Sequence, residues 1–468
     1  MTVSQDVIAR LKSAVGPRGS SEDQSEIAPH LVEWRSKYQG ATPLLLKPAT
    51  TQEVSAILAI CNETVTPIVP QGGNTGLVGG QIPFHGEVLL SLARLNRIRR
   101  VDGVGMSMIA EAGVVLAKIQ EAALDANCFF PLSLASEGSC TIGGNLSTNA
   151  GGINVLRYGS SRALVLGVEV VLADGRMLDL LRTLRKDNTG YDLKRLFIGA
   201  EGTLGIITAA ALRLFPKPTM HETVFVAVPN PAAAVALLHR LQDATGGLVS
   251  AFELMPRLGL EFVLAHMPGA SDPLAAPSPW YVLAEVGVAG AVPLKGIFET
   301  TMAQAIEDGV ASDAVIAASE AQRRALWHLR ESMSEAQKFE GGSIKHDIAV
   351  PVERVPEFLE KGLAAVAALV PGVRPVPFGH LGDGNIHFNF SVPKGGDSAA
   401  YLARWEEVSR VVHDLVHDFE GSISAEHGLG VMKRDEILRY KSRTEMDVMR
   451  ALKATLDPKG ILNPGKVV

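Results

Sequence analysis

Cysteine is nearly absent. The 468-residue chain has three, Cys61, Cys128 and Cys140, an odd number with no C-x-x-C spacing, which excludes a disulfide framework and a thiolate metal site. Sparse thiols fit a reducing compartment, and the cytoplasm is the expected location. Excess positive charge is also missing. With 44 Lys and Arg against 50 Asp and Glu, the chain lacks the electrostatics that hold nucleic-acid phosphates or an anionic membrane. No stretch approaches the ~18 consecutive apolar residues of a membrane span, and the N-terminus MTVSQDVIARLKSAVG has neither the charged start nor the apolar run of a secretion signal. Repeats and low-complexity linkers are absent too. What is there is a globular composition, 47 % hydrophobic and 20 % charged, and at about 100–200 residues per domain the length provides two to four domains. A small-molecule partner is expected.

The first 40 residues read as a polar helical lead-in. PLLLKPATTQEVSAILAICNETVTPIVP then reads as strand, helix and strand, with Thr50 and Glu53 as a capping box and Val54, Ile57, Leu58 and Cys61 on one apolar face. Further strands follow at EVLLSL and SMIAEAG, a helix from about Val114 to Leu124, and a hairpin in LGVEVVLADGRML turning at Asp174-Gly175. Pro216-Lys217-Pro218 marks a boundary, beyond which strands (HETVFVAVP, WYVLAEVGV) alternate with helices (PAAAVALLHRL, and Trp405 to Phe419). The expectation is an α+β fold, divided into 1–40, 41–218, 219–430 and a helical segment with a loop-like tail over 431–468.

Three glycine tracts fall before that boundary: Gln71 to Gly80, Gly138 to Gly152, and Gly199 to Gly205. Closely spaced glycines let backbone amides approach phosphate oxygens. No Lys-Ser/Thr follows the first tract, so it is no P-loop, and Gly73, Gly76 and Gly79 do not make G-x-G-x-x-G. Three tracts in one domain point to a large nucleotide cofactor.

FGHLGDGNIHFNF places His380 and His387 around a glycine turn, with Ile386, Phe388 and Phe390 on one face of the second strand and His387 and Asn389 on the other. Two histidines need a third ligand to hold a metal, and Glu426 or His427 in SAEHGLG could supply it. Two His and a carboxylate leave positions open, as at catalytic Zn²⁺ or Fe²⁺, and spacing does not choose between them. Arg330 and Ser334 are four apart on an expected helix and share a face, and Lys345 lies on the following strand. The two cations are candidates for an anionic ligand; the bland alternative is a solvated surface.

Together PQGGNTGLVGG, GGNLSTNAGG, GAEGTLGIIT, GHLGDGNIHFN and AEHGLG resemble the motifs of flavin-dependent D-2-hydroxyacid dehydrogenases of the vanillyl-alcohol oxidase / p-cresol methylhydroxylase superfamily, from about Leu44 to Pro464. The resemblance implies a two-part FAD-binding domain of the p-cresol methylhydroxylase type and an α+β substrate and metal domain with an antiparallel sheet. The C-terminal tail is expected to return to the FAD domain. Pro70, Gly72, Gly73, Asn74, Thr75, Gly76, Gly79 and Gly80 are implied to bind the FAD pyrophosphate. Ser136, Gly138, Ser139, Gly143, Gly144, Asn149, Glu201, Gly202, Ile206, Ile207 and Asn463 complete the expected cofactor set. Non-covalent FAD is expected, because Gln71 to Gly80 lacks the histidine that often carries covalent flavin.

The same resemblance puts His380, His387 and Glu426 on a divalent metal, usually zinc, makes His427 the catalytic base, and gives Arg330, Ser334, Lys345, Asn389 and His427 to the substrate. Ser334 departs from the pattern, where Thr is expected. The implied reaction is oxidation of a D-2-hydroxy acid to its 2-oxo acid, with D-2-hydroxyglutarate the expected substrate and D-malate next, because Arg330 and Lys345 offer two cations for two carboxylates. Electrons are expected to leave to an electron-transfer flavoprotein or a quinone, and a homodimer is plausible for such a protein. The rival readings are a D-lactate or glycolate dehydrogenase of the same family, a metal-dependent hydrolase, and a non-catalytic flavoprotein subunit.

Overall fold

The computed structural model describes residues 3–468. The fold is α+β, and it divides into two compact units. One comprises residues 3–152, Gly159–Lys217 and Glu426–Val468, and the other Ile153–Tyr158 and Pro218–Ala425. This differs from the expected division in four places. Residues 3–40 belong to the first unit outright, Ile153–Tyr158 and Pro218 belong to the second, and the first unit resumes at Glu426 instead of 431.

The reason at the N-terminus is burial. Val7, Ile8, Leu11 and Val15 on the helix Gln5–Val15 pack in one core with Val54, Ile57, Leu58 and Cys61 of the helix Thr51–Thr64, which is the apolar face read from the spacing. Thr50 caps that helix by accepting from the Glu53 amide, but the reciprocal half differs: the Glu53 carboxylate takes the Ala49 amide at 2.7 Å. In this unit a four-stranded sheet runs Ser20–Ser21, Leu45–Leu46, Val88–Ser91, Ile68–Gln71, the last three parallel. Val88–Ser91 is buried throughout, as a central parallel strand must be. A second sheet is antiparallel, in the order Ile98–Asp102, Ser107–Glu111, Ile206–Arg213, Val165–Val171, Met177–Asp179. The turn at Asp174-Gly175 closes the hairpin of its last two strands, with Gly175 at φ +86°. The C-terminal segment returns to the first sheet: Ile68 donates to Ile461 O and the Asn463 amide donates to Ile68 O, both at 2.9 Å.

The second unit is built on an eight-stranded antiparallel sheet, centred on Trp280–Val288, Val249–Pro256, Arg374–His380 and Asn385–Ser391. Helices cover both faces. Phe225, Met255, Leu283, Val376 and Phe378 face the helices Arg257–His266, Glu320–Glu331 and Met333–Phe339. On the other side Phe388 meets Phe358 of the helix Val355–Leu369, with ring centroids 5.0 Å apart.

Candidate active site

In the first unit, Gln71 ends a strand and three amide side chains shape the loop that follows. Gln71 donates to His30 O and Gln81 O, Asn74 in the left-handed region donates to Pro29 O and Val32 O, and Gln81 donates to Gly76 O. The N-terminal segment is therefore part of the scaffold of the loop. The amide N–H groups of Gly72 to Leu77 make no intramolecular hydrogen bond among the described residues, which suits them to anionic oxygens. Glycine is required where this loop meets the second tract: a Cβ on Gly72 would lie 2.5 Å from Thr141 Oγ1, and one on Gly73 2.2 Å from Ser139 O.

These tracts enclose a cavity of about 470 Å³. Its wall includes Pro70, Gly72, Gly73, Asn74, Thr75, Gly76, Gly80, Ser136, Ser139, Gly143, Gly144, Glu201, Gly202, Ile206 and Ile207. Four residues expected to bind the cofactor lie off the wall. Gly79, at φ +72°, packs toward Val431 and Tyr38, and Gly138 stands in open space. Asn149 accepts from Ser160 Oγ and the Arg162 amide, closing a turn. Asn463 donates to Gly80 O at 2.9 Å and Glu201 O at 2.8 Å, so it staples the C-terminal segment to the cavity wall from behind.

The reading of the sequence missed Trp34 and Asn145, both on the wall, while Thr141 lies there inside the expected segment Ser136 to Gly144. Asn145 had a signal, since it lies inside a glycine tract; nothing marked Trp34. Thr141 Oγ1 and Asn145 Oδ1 are buried without a protein partner, and buried polar atoms of this kind call for a ligand. A phosphate-sized amide cradle, orphaned polar atoms and an apolar floor of Ile206 and Ile207 fit FAD.

His427 and Glu426 stand on the same wall. Glu201 holds their loop, its two carboxylate oxygens accepting from the Leu429 amide at 2.7 Å and the Gly430 amide at 2.9 Å. Burial pushes the Glu201 carboxyl above the usual carboxylate range, and those two amides work against the shift. Glu426 accepts from the Gly152 amide at 3.1 Å.

In the second unit, Arg374–His380 and Asn385–Ser391 pair around a short turn that needs a left-handed residue, Gly384 at φ +80°, where a Cβ would lie 2.1 Å from Val350 O. Phe378 pairs with His387 and Val376 with Asn389 across the ladder, so His380, His387 and Asn389 share a face. Ile386, Phe388 and Phe390 are fully buried on the other, as the alternation requires. The imidazoles of His380 and His387 have centroids 5.4 Å apart, near enough to converge on one cation.

Arg330 is buried in the last turn of Glu320–Glu331, but Ser334 is not on that helix. The chain breaks at Ser332, whose hydroxyl lies 3.2 Å from His328 Nδ1, and Ser334 sits exposed on the next helix. Ser332 keeps its amide bond to His328 O at 3.1 Å but turns to φ −77°, ψ −10°, and with Arg330 buried and Ser334 exposed the two do not share one face. Lys345 falls between the strands Ser343–Ile344 and Asp347–Ala349 and donates to Ser334 O at 3.4 Å. Asn389 donates to Gln337 Oε1 at 3.0 Å, while its Oδ1 is buried without a protein partner.

Three buried residues here had no signal in the sequence: Glu253, Gln337 and Asp347. Glu253 is fully buried opposite His380 in the sheet register. It accepts from Arg330 Nε at 2.6 Å and bonds His380 Nδ1 at 2.7 Å. Burial alone would raise its carboxyl, but Arg330 and His380 hold it down at about 2. Asp347 accepts from Asn385 Nδ2 at 2.9 Å and pairs with His387 across the strands.

The cofactor cavity in the first unit and the histidine-bearing sheet in the second define a flavoprotein of the oxidoreductase class. The family described as FAD binding domain matches residues 42–181, and that described as FAD linked oxidases, C-terminal domain, matches 217–467. The chain is 40 % identical to the mitochondrial D-2-hydroxyglutarate dehydrogenase of Bos taurus, covering 100 % of this chain and 84 % of that one. It is 36 % identical to the D-2-hydroxyglutarate dehydrogenase of Xanthomonas citri pv. viticola, over 98 % of this chain and 96 % of the relative. Its fold matches substrate-bound p-cresol methylhydroxylase with a TM-score of 0.78 at 16 % identity, covering 99 % of this chain and 97 % of the other. The chain belongs to the FAD-linked oxidases, with D-2-hydroxyglutarate dehydrogenases as full-length relatives, and it has the fold of p-cresol methylhydroxylase.

Proposed function

We propose that this chain oxidises a D-2-hydroxy acid to the 2-oxo acid with non-covalent FAD as the first electron acceptor, and that its preferred substrate is a dicarboxylate, D-2-hydroxyglutarate with D-malate next. The observation that carries the reading is the placement of His427 and Glu426 on the wall of the cavity that fits FAD. When bound, FAD supplies the two-electron sink, and a divalent cation, zinc by the family resemblance, acidifies the 2-hydroxyl. The paired imidazoles of His380 and His387 fit such a cation, and the resemblance supplies Glu426 as third ligand.

The protein's own groups do the rest. His427 accepts the hydroxyl proton as general base, while the C2 hydrogen leaves with its electron pair. Arg330 engages the carboxylate beside the reacting carbon, Asn389 adds a polar contact, and Lys345, beside Ser334, provides the charge for a second carboxylate. Electrons then pass to an electron-transfer flavoprotein or a quinone; no helix among the described residues is long and apolar enough to cross a membrane. A reducing compartment, the cytoplasm in this reading, suits three unbridged buried thiols.

Anaerobic mixing of the FAD-loaded protein with D-2-hydroxyglutarate, L-2-hydroxyglutarate, D-malate and D-lactate, with and without chelator pretreatment, tests this. Fast bleaching by the D-dicarboxylates, lost after chelation, is the expected result. Bleaching mainly by D-lactate would support the second reading, a monocarboxylate dehydrogenase, which the engagement of Lys345 with Ser334 O favours. No bleaching by any of the four would overturn the substrate class.

A further inference from the structure

The candidate site in the second unit contains a carboxylate with no place in the reaction. Glu253 cannot reach solvent, lies on a central strand, and sits opposite His380 in the antiparallel register. One oxygen meets Arg330 Nε at 2.6 Å and the other His380 Nδ1 at 2.7 Å. An ionised carboxylate only accepts hydrogen bonds, so Nδ1 of His380 carries a proton and its lone pair is on Nε2, the tautomer a metal ligand needs. The contact with Arg330 uses Nε alone. That fixes the plane of the guanidinium, which also lies over the Phe378 ring with Cζ 4.8 Å from its centroid, and does not consume the terminal nitrogens that grip a carboxylate.

We propose that Glu253 is a positioning residue that ties two functions together: one buried carboxylate orients both the arginine that receives the substrate carboxylate and the imidazole that receives the metal. The inference rests on the proposed function, which gives Arg330 and His380 those roles. It explains why a charge sits in the core of the sheet. Removing a partner from a buried pair strands the other charge, so Glu253 and Arg330 stand or fall together, and His380 is fixed by the same group.

Glu253→Gln separates the two roles by chemistry. An amide has one acceptor oxygen, and Arg330 Nε, a permanent donor, claims it. The amide NH₂ then faces His380 Nδ1 and moves the ring proton to Nε2, the wrong tautomer for a metal. Glu253→Asp keeps both acceptors but withdraws them by one methylene, so its effect is intermediate and guards against a glutamine variant that does not fold.

The test compares wild type with E253D and E253Q, all FAD-loaded, in three measurements. Zinc affinity is read by competition with a chromogenic chelator, the His380 tautomer by ¹⁵N NMR of labelled histidine, and KM and kcat by substrate titration. We expect zinc affinity to fall on the order of 10–100-fold in E253Q, the usual cost of losing a partner behind a metal ligand, with the ring proton moved to Nε2. KM for the hydroxy acid rises in the same variant, and E253D falls between.

Wild-type zinc affinity and an unchanged tautomer in a folded E253Q would overturn the proposal, whatever happened to turnover. Loss of turnover with only a lowered melting temperature would also overturn it, in favour of a purely structural role. A wild type that is reduced by hydroxy acids yet takes up no zinc would sink the coupling and leave the oxidation standing. A wild type that binds zinc but is not reduced would overturn the functional reading, while the E253Q-to-wild-type affinity ratio and tautomer still decide the orientation of His380.

Discussion

At the scale of single residues, the cavity depends on missing atoms as much as on present ones. A methyl group on Gly73 would press against the carbonyl oxygen of Ser139 at 2.2 Å, and backbone does not yield as a side chain does. Overpacking of this kind costs about 1–3 kcal/mol. Gly73→Ala is therefore expected to weaken FAD retention by tenfold or more while the second unit keeps its fold, which flavin content against circular dichroism would check. Lys345 carries the opposite kind of prediction, because its contribution is a charge. Removing the charge that would face the second carboxylate weakens only the substrate that has one, so Lys345→Ala should depress turnover of D-2-hydroxyglutarate about tenfold or more further than that of D-lactate. Equal losses on both substrates would return Lys345 to holding Ser334. The residues that bear this chemistry were legible because histidine and glycine in tight clusters are rare by chance. Glu253 was not, since one glutamate inside the apolar strand VSAFELMP announces nothing until the strands pair.

At the scale of elements, the C-terminal segment is a structural part of the cofactor domain. Asn463 bonds Gly80 O and Glu201 O, and Ile461 and Leu462 are buried in the core around Ile68. Asn463→Ala leaves two carbonyl oxygens behind the cavity unpaired, at about 1–3 kcal/mol for a buried group. A lower melting temperature and faster FAD loss on dilution are the expected signs, and an unchanged flavin off-rate would show that the staple does not reach the cavity. The periodicities of Thr51–Thr64, Pro231–Thr245 and Asn385–Ser391 were readable because burial on one face leaves a pattern in the sequence. The break at Ser332 was not, because nothing between Glu331 and Met333 departs from a helical composition.

At the scale of each unit, the second carries another buried ionic centre, on the strand next to that of Glu253 and against the same helix as Arg330. Glu285 accepts from Arg323, Trp327 Nε1 and Thr223 Oγ1, each at 2.7 Å. Burial would raise its carboxyl, but His221, Arg323 and Trp327 hold it at about 2. A depressed native value means the unfolded chain binds the proton first as pH falls. The stabilisation is thus fully present above about pH 4.5 and is lost between there and about 2. It amounts to roughly 3 kcal/mol by linkage. Glu285→Gln should lower the melting temperature at pH 7, and the gap to wild type should close as the pH drops below about 4.5. A gap independent of pH would locate the loss in packing instead of charge.

The amino-acid sequence by itself determined the elements that carry one-sided burial, the glycine tracts that admit an anionic cofactor, and the two histidines set around a turn. Those are local properties, written in spacing. Only the tertiary structure decided that the N-terminal helix is core, that Asn463 supports the cavity from behind it, and that Glu253 stands between Arg330 and His380. Each of these depends on which strand lies beside which, and the register that brings residue 253 opposite residue 380 is set by the packing of the whole sheet.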